Sequence, residues 1–198
     1  MNAYLLVGGR SSRMGRSKVD LPFGGSTFLA RTLDAARSVF HSVYAVQRAG
    51  GAEIAAVETI FENHHAEEGP VFGLLRALEH AESLGEERSC ILAIDYPLLT
   101  QGMLRYLSRR FEASDAPLMV PRWNGRMQML CAGYATRLAP ILAQRIAAGR
   151  YDLRGLLDTP GAVAIDEDEL RATFPGEPLM NVNTLAELEE ARRIDEQG

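Results

Sequence analysis

A glycine-rich, basic stretch follows the first apolar run of the chain and is the strongest candidate for chemistry. Residues 8–18 read GGRSSRMGRSK and combine glycines and serines with four cations. Glycines let the backbone approach an oxyanion, backbone N–H groups bind it, and cations neutralise its charge. The spacing matches neither the Walker A loop nor the GxGxxG fingerprint. The stretch therefore predicts a phosphate-binding loop of another kind, with a basic surface loop as the alternative.

Lys18 closes this stretch and is the single lysine of the chain. Twenty of the 21 basic residues are arginine, a skew that codon bias explains. Codon bias does not explain the exception. A lysine is a compact point charge, whereas arginine is a wide planar fork, so a tight site beside one phosphate oxygen can require lysine.

Asp95 is the second candidate, because it directly follows the apolar run CILAI at residues 90–94. A carboxylate at the end of a buried strand can hold a hard cation such as Mg²⁺ against substrate phosphates. Capping of a helix before Pro97 is the competing interpretation. The presence of the glycine-rich stretch favours the cation site.

Other chemistries lack their sequence signals. The chain has no CxxC pair, its four histidines lack the HExxH spacing of a zinc site, and no GxSxG elbow marks a serine hydrolase. His64 and His65 are expected to form a polar connection, and Trp123 to pack at the base of a hairpin. The acidic run at residues 166–169 is expected to be a solvated surface.

Composition limits the class of protein. The chain has 198 residues, 46% of them hydrophobic and 24% charged, which predicts one globular domain over residues 1–198. The net charge of −5 argues against a nonspecific nucleic-acid coat. The apolar runs are too short for a membrane span, and the first residues do not resemble a secretory signal. Two cysteines cannot form a disulfide framework, so a cytoplasmic location is expected.

Hydrophobic periodicity predicts alternating strands and helices. Strands are predicted over residues 4–7, 42–46, 57–61, 90–94 and 118–121. Helices are predicted over 27–40, 72–84, 102–111, 137–148 and 185–194, the first with Ser26 as its N-cap. Asn124-Gly125 predicts a hairpin whose second arm returns antiparallel over 127–134. The pattern indicates an α/β fold with a mostly parallel sheet, in which ligands bind beyond the carboxyl ends of the strands.

Four motifs in order resemble the molybdenum cofactor guanylyltransferases of the nucleotidyltransferase superfamily. Residues 6–18 are similar to LAGGxSxRMGxDK, residues 69–73 to GPLAG, residues 95–97 to DxP, and residues 181–184 to NVNT. The resemblance spans essentially the whole chain. It implies a Rossmann-like domain of the nucleotide-diphospho-sugar transferase type with an antiparallel hairpin insertion.

The resemblance also implies a reaction and a set of roles. GMP would pass from GTP to the terminal phosphate of molybdopterin, with release of pyrophosphate and with Mg²⁺ as cofactor. Proteins that deliver or receive the cofactor would be further partners. The implied catalytic residues are Lys18, Arg13 and Asp95, with Asp95 as the metal ligand. The implied nucleotide-binding residues are Leu6, Val7, Gly8, Gly9, Ser11, Lys18, Asn63 and Asp95. The implied pterin-binding residues are Gln128, Asn181 and Asn183.

Five positions depart from the family pattern. Val7 replaces the alanine of LAGG, Ser17 the aspartate before the lysine, and Met129 the proline after the glutamine. Asn63 aligns with a nucleotide-contacting aspartate, and Leu185 replaces the proline after NVNT. These departures affect the identity of the substrates more than nucleotide binding itself.

Three other functions compete with the guanylyltransferase. A cytidylyltransferase acting on the same pterin would show LAAG where this chain has Gly8-Gly9. A sugar-phosphate nucleotidyltransferase would not predict the NVNT segment. A regulator that only binds a nucleotide would have no need for both Lys18 and Asp95, because it stabilises no transition-state charge.

Overall fold

The computed structural model describes residues 1–7, 18–62 and 69–197. The described residues form ten strands, which are β1 (Asn2–Leu6), β2 (Pro22–Phe23), β3 (Ser26–Thr27), β4 (Val43–Gln47), β5 (Glu58–Phe61), β6 (Arg88–Ala93), β7 (Leu118–Trp123), β8 (Arg126–Met127), β9 (Cys131–Ala135) and β10 (Val163–Ile165). They also form six α-helices, which are α1 (Phe28–Arg37), α2 (Val71–Ser83), α3 (Gln101–Glu112), α4 (Ala139–Ala147), α5 (Glu167–Thr173) and α6 (Leu185–Gln197).

Most of the strands join one sheet in the order β10-β7-β9-β6-β1-β4-β5, with β8 paired to β7. Strands β6, β1, β4 and β5 run parallel to one another. Strand β9 inserts between β6 and β7 and runs antiparallel to both. The predicted fold class is confirmed: a mostly parallel sheet flanked by helices, with an antiparallel insertion.

The alternation of side chains along β1 shows how the sheet buries both of its faces. Ala3, Leu5 and Val7 pack into the core on the side of α1 and α3, whereas Tyr4 packs into the core on the side of α2 and α4. A strand that is covered on both faces has few polar positions. This is why 4–7 could be recognised as an apolar run.

The hairpin after β7 forms as the Asn-Gly signal predicts. Asn124 and Gly125 both have positive φ, at 49° and 68°, as a tight hairpin of this type requires. The returning arm is not one strand over 127–134, however. It is β8 followed by β9, with a turn between them in which the N–H of Cys131 donates to the carbonyl of Gln128 at 3.0 Å.

The prediction for the first helix was wrong in its N-cap. Ser26 pairs with Phe23 in the short β2–β3 hairpin, so it is extended and precedes the cap. Thr27 is the N-cap, and its hydroxyl accepts a hydrogen bond from the N–H of Ala30 at 3.1 Å. The helix then ends at Arg37 rather than at Phe40.

The acidic run begins α5 and is only half solvated. Asp166 and Asp168 are exposed, as expected, but Glu167 and Glu169 are half-buried and bind arginines. Carboxylates in a first turn are favoured by the helix dipole. None of the helices in the described ranges has the length and apolarity that crossing a bilayer requires.

Candidate active site

Asp95 lies just beyond the carboxyl end of β6, in the middle of the sheet. Its Oδ2 accepts a hydrogen bond from Nδ2 of Asn181 at 2.9 Å, and its carbonyl accepts one from the N–H of Val182 at 2.8 Å. Its Oδ1 is buried and has no hydrogen-bond partner among the described residues. A buried, unpartnered carboxylate oxygen fits the donor that a hard cation takes.

Lys18 lies next to this carboxylate, although the two residues are far apart in sequence. Its Nζ donates to Oδ1 of Asn183 at 2.8 Å and lies 3.7 Å from Oδ2 of Asp95. The two side chains are 19% and 16% exposed, so the ion pair is partly withdrawn from solvent. The stretch that precedes Lys18, residues 8–17, is outside the described residues.

The Asp95 carboxylate is poorly compensated in this arrangement. Burial raises the pKa of Asp95, while the charge of Lys18 and the hydrogen bond from Asn181 act in the opposite direction and do not cancel it. A further cation close to Asp95 would therefore stabilise the ionised form of its carboxylate. This electrostatic state agrees with the donor geometry of the unpartnered oxygen.

The turn at residues 181–184 carries both asparagines that hold this ion pair. Nδ2 of Asn183 donates to Oδ1 of Asn181, which links the two side chains directly. Thr184 then caps α6, because its hydroxyl accepts from the N–H of Glu187 at 3.2 Å while Glu187 Oε2 accepts from the N–H of Thr184 at 2.8 Å. This reciprocal pair is a capping box, for which T-x-x-E is the sequence signature.

A cleft of about 700 Å³ opens beside the turn, on the side of β9 and β7. Its lining is mixed in character, with Tyr96, Gln128 and Asn181 among the polar residues and Met127 and Met129 among the apolar ones. A volume of this size accommodates a small organic molecule. Arg126 and Arg154 also line the cleft and suit an anionic ligand.

Gln128 is built into the wall of this cleft. Its Oε1 accepts from the hydroxyl of Tyr96 at 3.1 Å, and its Nε2 donates to the carbonyls of Trp123 at 3.0 Å and Arg126 at 3.2 Å. Both amide hydrogens therefore have partners within the chain. Trp123 is fully buried, as predicted, and donates its ring N–H to Glu177 at 2.8 Å.

Glu62 is a second buried carboxylate, at the carboxyl end of β5. It is 8% exposed, and burial raises its pKa against the opposing charge of Arg48. A Cβ on Gly73 would lie 2.9 Å from Glu62 Oε1 and 3.3 Å from the side chain of Leu6. The glycine at the start of α2 therefore lets this carboxylate and the end of β1 come together.

Comparison with known proteins identifies the family. The model of the MobA-like NTP transferase domain matches residues 3–165 of the chain. A probable molybdenum cofactor guanylyltransferase of Mycobacterium tuberculosis is 31% identical over 186 residues, which cover 93% of this chain and 89% of that protein. The chain belongs to the MobA-like NTP transferase family. It is therefore a nucleotidyltransferase, as the four motifs implied.

Solved structures agree with the MobA-like fold. The molybdopterin-guanine dinucleotide biosynthesis protein A of Archaeoglobus fulgidus superposes with a TM-score of 0.85 over 100% of both chains, at 23% identity. A Mycobacterium tuberculosis protein in complex with manganese superposes with a TM-score of 0.64, at 17% identity, over 97% of both chains. At these identities the likeness concerns the fold.

The structure brings four of the predicted site residues of this MobA-like protein into one cluster. Asp95, Lys18, Asn181 and Asn183 are joined by direct contacts. Leu6 and Val7 lie where β1 ends, and Gln128 lies in the cleft wall. The predictions for Gly8, Gly9, Ser11, Arg13 and Asn63 fall outside the described residues. The roles of all these residues stay predictions.

Two carboxylates at the carboxyl edge of the sheet and at the start of α6 were not singled out from the sequence. Glu62 follows a predicted strand just as Asp95 does, so the same logic could have found it. Glu187 completes the T-x-x-E signature at the start of a predicted helix, and that signal was also available. Neither rule, however, indicates which of many surface carboxylates lies at the ligand edge of the sheet.

Proposed function

We propose that the protein transfers GMP from GTP to the terminal phosphate of molybdopterin and releases pyrophosphate. The observation that carries this proposal is the contact of Lys18, Asp95, Asn181 and Asn183 at the carboxyl edge of the sheet, with the cleft next to it. The family membership supports a nucleotidyltransferase, and the names of the relatives support the two substrates.

The order of the strands supports a division of the site between two substrates. Strands β1, β4 and β5 lie on one side of β6, and β9 and β7 lie on the other. Asp95, beyond the end of β6, stands between the region of Leu6 and Glu62 and the region of the cleft. We assign the nucleotide to the first region and the pterin to the second. The phosphates of both would then meet at Asp95 and Lys18.

The reaction requires positioned charge more than proton transfer. A phosphate oxygen of molybdopterin attacks the α-phosphorus of GTP, the bond to the β-phosphate breaks, and pyrophosphate leaves with the electron pair. Lys18 supplies a close counter-charge for the phosphate oxygens. The attacking phosphate is already anionic, so no side chain has to act as a general base.

A divalent metal fits the residues that are present. Members of this family usually use such a metal, and one structural relative was solved with manganese. Asp95 would hold it, because its Oδ1 lacks a partner among the described residues and its carboxylate is poorly compensated. We propose Mg²⁺, which when bound neutralises phosphate charge and orients the α-phosphate.

Glu62 gives the proposal a basis for choosing guanine. The N1–H and 2-amino groups of guanine form a pair of donors that a carboxylate accepts side by side, whereas cytosine presents no such pair. Glu62 is desolvated at the nucleotide side of the site, where an unpaired carboxylate is costly and a paired one discriminates strongly. We assign Glu62 to the guanine base.

The test is a thermal-shift titration of the full chain with GTP, CTP, ATP and UTP in the presence of Mg²⁺. A ligand that binds only the folded state adds about 2.7 kcal/mol at a hundred times its Kd. GTP should give the largest shift, and Glu62→Gln should reduce the affinity for GTP about tenfold or more while affecting the other nucleotides less. Asp95→Asn should remove the dependence of the GTP shift on Mg²⁺.

Two of the competing functions have their own results, the second of which needs an assay for product beside the titration. A larger shift with CTP would support the cytidylyltransferase, and a GTP shift without product when molybdopterin is added would support a regulator. No shift with any nucleotide would overturn the nucleotidyl-transfer site as drawn. An unchanged metal requirement in Asp95→Asn would remove Asp95 from the metal site.

A further inference from the structure

The carboxylate of Glu187 does more than cap a helix. A capping box needs one bond from this side chain, the bond to the N–H of Thr184. Glu187 Oε2 accepts a second bond, from the N–H of Asn183, at 2.7 Å. Asn183 is the residue whose side chain receives Lys18.

We propose that Glu187 is a positioning residue, which holds Lys18 in place by fixing the backbone of Asn183. The role of Lys18 in phosphate chemistry rests on the proposed function, but the restraint on its ammonium group does not. The contacts run without a gap from Glu187 Oε2 to the N–H of Asn183, and from Asn183 Oδ1 to Lys18 Nζ. Residues 18 and 187 are thereby connected through a single intervening residue.

The same contact extends to Asp95. The side chain of Asn183 donates to Asn181, and Asn181 donates to the carboxylate of Asp95. Fixing Asn183 thus fixes both partners of the ion pair. A pre-placed ammonium group need not reorganise when charge develops in the transition state, which is the main source of electrostatic catalysis.

The charges around the turn support this role. Burial acts to raise the pKa of Glu187, but the hydrogen bonds from Asn183 and Thr184 and the charge of Lys18 prevail, so its pKa lies below the usual range. Glu187 is thus a carboxylate that the turn and the lysine stabilise together. Lys18 lies between two carboxylates, Asp95 in direct contact and Glu187 through Asn183.

The single lysine of the chain makes the inference testable without any substrate. Amines are labelled with an acylating reagent at neutral pH, and the rate at each site is read by mass spectrometry of the peptides. The only other amine in the chain is the N-terminus of Met1. The side chain of Met1 is 4% exposed, and its amino group lies 3.7 Å from Oε2 of Glu86 and 3.8 Å from Oε1 of Glu112, so its labelling rate serves as an internal reference for the rest of the fold.

Four variants separate positioning from helix stability. Glu187→Ala removes the acceptor of the Asn183 N–H, and Glu187→Asp shortens the side chain that carries it. In both variants the labelling rate of Lys18 should rise about threefold to tenfold, the effect of losing the hydrogen bond to Asn183. Glu187→Gln keeps an acceptor of the same reach and should stay near the wild-type rate. Thr184→Ala is the matched control, since it removes the other half of the capping box and leaves both bonds of Glu187 in place.

The outcomes decide the proposal whether or not the protein proves to be a guanylyltransferase. Wild-type labelling in both Glu187→Ala and Glu187→Asp would overturn it, and so would an equal rise in Thr184→Ala. If Glu187→Ala loosens the whole fold, Met1 labelling rises with that of Lys18, and the milder Glu187→Asp decides. A failure of the nucleotide titration leaves these rates untouched, so the two failures are distinguishable.

Discussion

At the scale of single residues, the surroundings of Lys18 explain why this one position is not arginine. Its Nζ fits between Oδ1 of Asn183 at 2.8 Å and the carboxylate of Asp95 at 3.7 Å, in a partly buried site. A guanidinium has the same charge but is planar and wider, and it presents its donors in a fixed fork. We therefore expect an arginine at this position to change the contacts with both partners.

Lys18→Arg should therefore lower kcat about a hundredfold, comparable to the loss of one transition-state donor, while the fold is retained. Steady-state kinetics with GTP and molybdopterin, together with the thermal midpoint of the free protein, measure both effects. Arg105→Lys, an exchange of the opposite sense at an exposed position of α3, is the control. Near-normal turnover in Lys18→Arg would show that diffuse positive charge is sufficient.

The composition of the site could be predicted from single residues only in part. Asp95 stands out as a carboxylate after an apolar strand, and Lys18 as the single lysine at the end of a glycine-rich stretch. The two asparagines stand out because they belong to the NVNT motif. Their mutual contact could not be predicted, because Lys18 and Asn183 are 165 residues apart in sequence. Glu62 and Glu187 were missed for the same reason, since only the fold distinguishes them from solvated carboxylates.

At the scale of elements, the packing of α2 on the sheet contains a histidine whose pKa the fold lowers. Nδ1 of His80 in α2 forms a hydrogen bond with the hydroxyl of Tyr4 on β1 at 3.0 Å, and the His80 ring lies 4.8 Å from that of Tyr44 on β4. Burial lowers the pKa of His80, Arg76 lowers it further, and Glu58 opposes the shift. The neutral ring is therefore the form that this packing selects.

Acid should weaken this packing. The unfolded chain binds a proton to His80 at a higher pH than the folded chain does, so the free energy of unfolding falls as the pH drops from about 7 through the folded pKa. His80→Asn keeps a side chain that can form a hydrogen bond with Tyr4 but does not titrate. Urea unfolding between about pH 7 and about pH 5 should show a smaller loss of stability in this variant than in wild type.

His41→Asn serves as the control, because His41 is exposed. Its loss of stability over the same pH range should match that of wild type. If His80→Asn and wild type lose stability in parallel, the His80–Tyr4 contact is not the titrating element.

The elements of the fold were more predictable than the connections between them. Strands β1 and β6 were recognisable because both faces of each are buried, which produces apolar runs. Three short elements, the β2–β3 hairpin, β10 and α5, were not predicted. They are two to seven residues long, too short for a hydrophobic period to emerge, and β10 is defined by its pairing with β7.

At the scale of the whole molecule, the segment after Lys18 packs against the C-terminal helix α6 beside the candidate active site. Leu21, Phe23 and Phe28 form a small separate core with Val182 and Leu188. Leu188 belongs to α6, so the helix that begins at the turn of Asn183 also packs on the segment that follows Lys18. The organisation of all 198 residues as one domain agrees with this connection and stays a prediction.

An ion pair between α1 and α6 lies beside this small core. Arg31 of α1 donates to both carboxylate oxygens of Asp195 in α6, at 2.9 and 2.7 Å, and its guanidinium lies 5.0 Å from the centre of the Phe23 ring. The backbone of Gly24 passes close by, since a Cβ there would lie 2.3 Å from Arg31 Nη1. Two parallel hydrogen bonds and partial burial make such a pair stronger than an ordinary surface salt bridge.

Reversing either charge alone should therefore destabilise the protein by about 1 to 2 kcal/mol, because two like charges then face each other at a half-buried site. Combining Arg31→Asp with Asp195→Arg should restore at least half of that loss. Urea unfolding of the wild type, the two single variants and the double variant measures these free energies. The labelling rate of Lys18 should rise in the single variants and fall back in the double one.

The exposed pair of Arg193 and Glu190 on the same helix offers the matched control, for which the same exchange should change the free energy of unfolding little. Strictly additive effects of Arg31→Asp and Asp195→Arg would show that the two chain segments are held together by their apolar core alone.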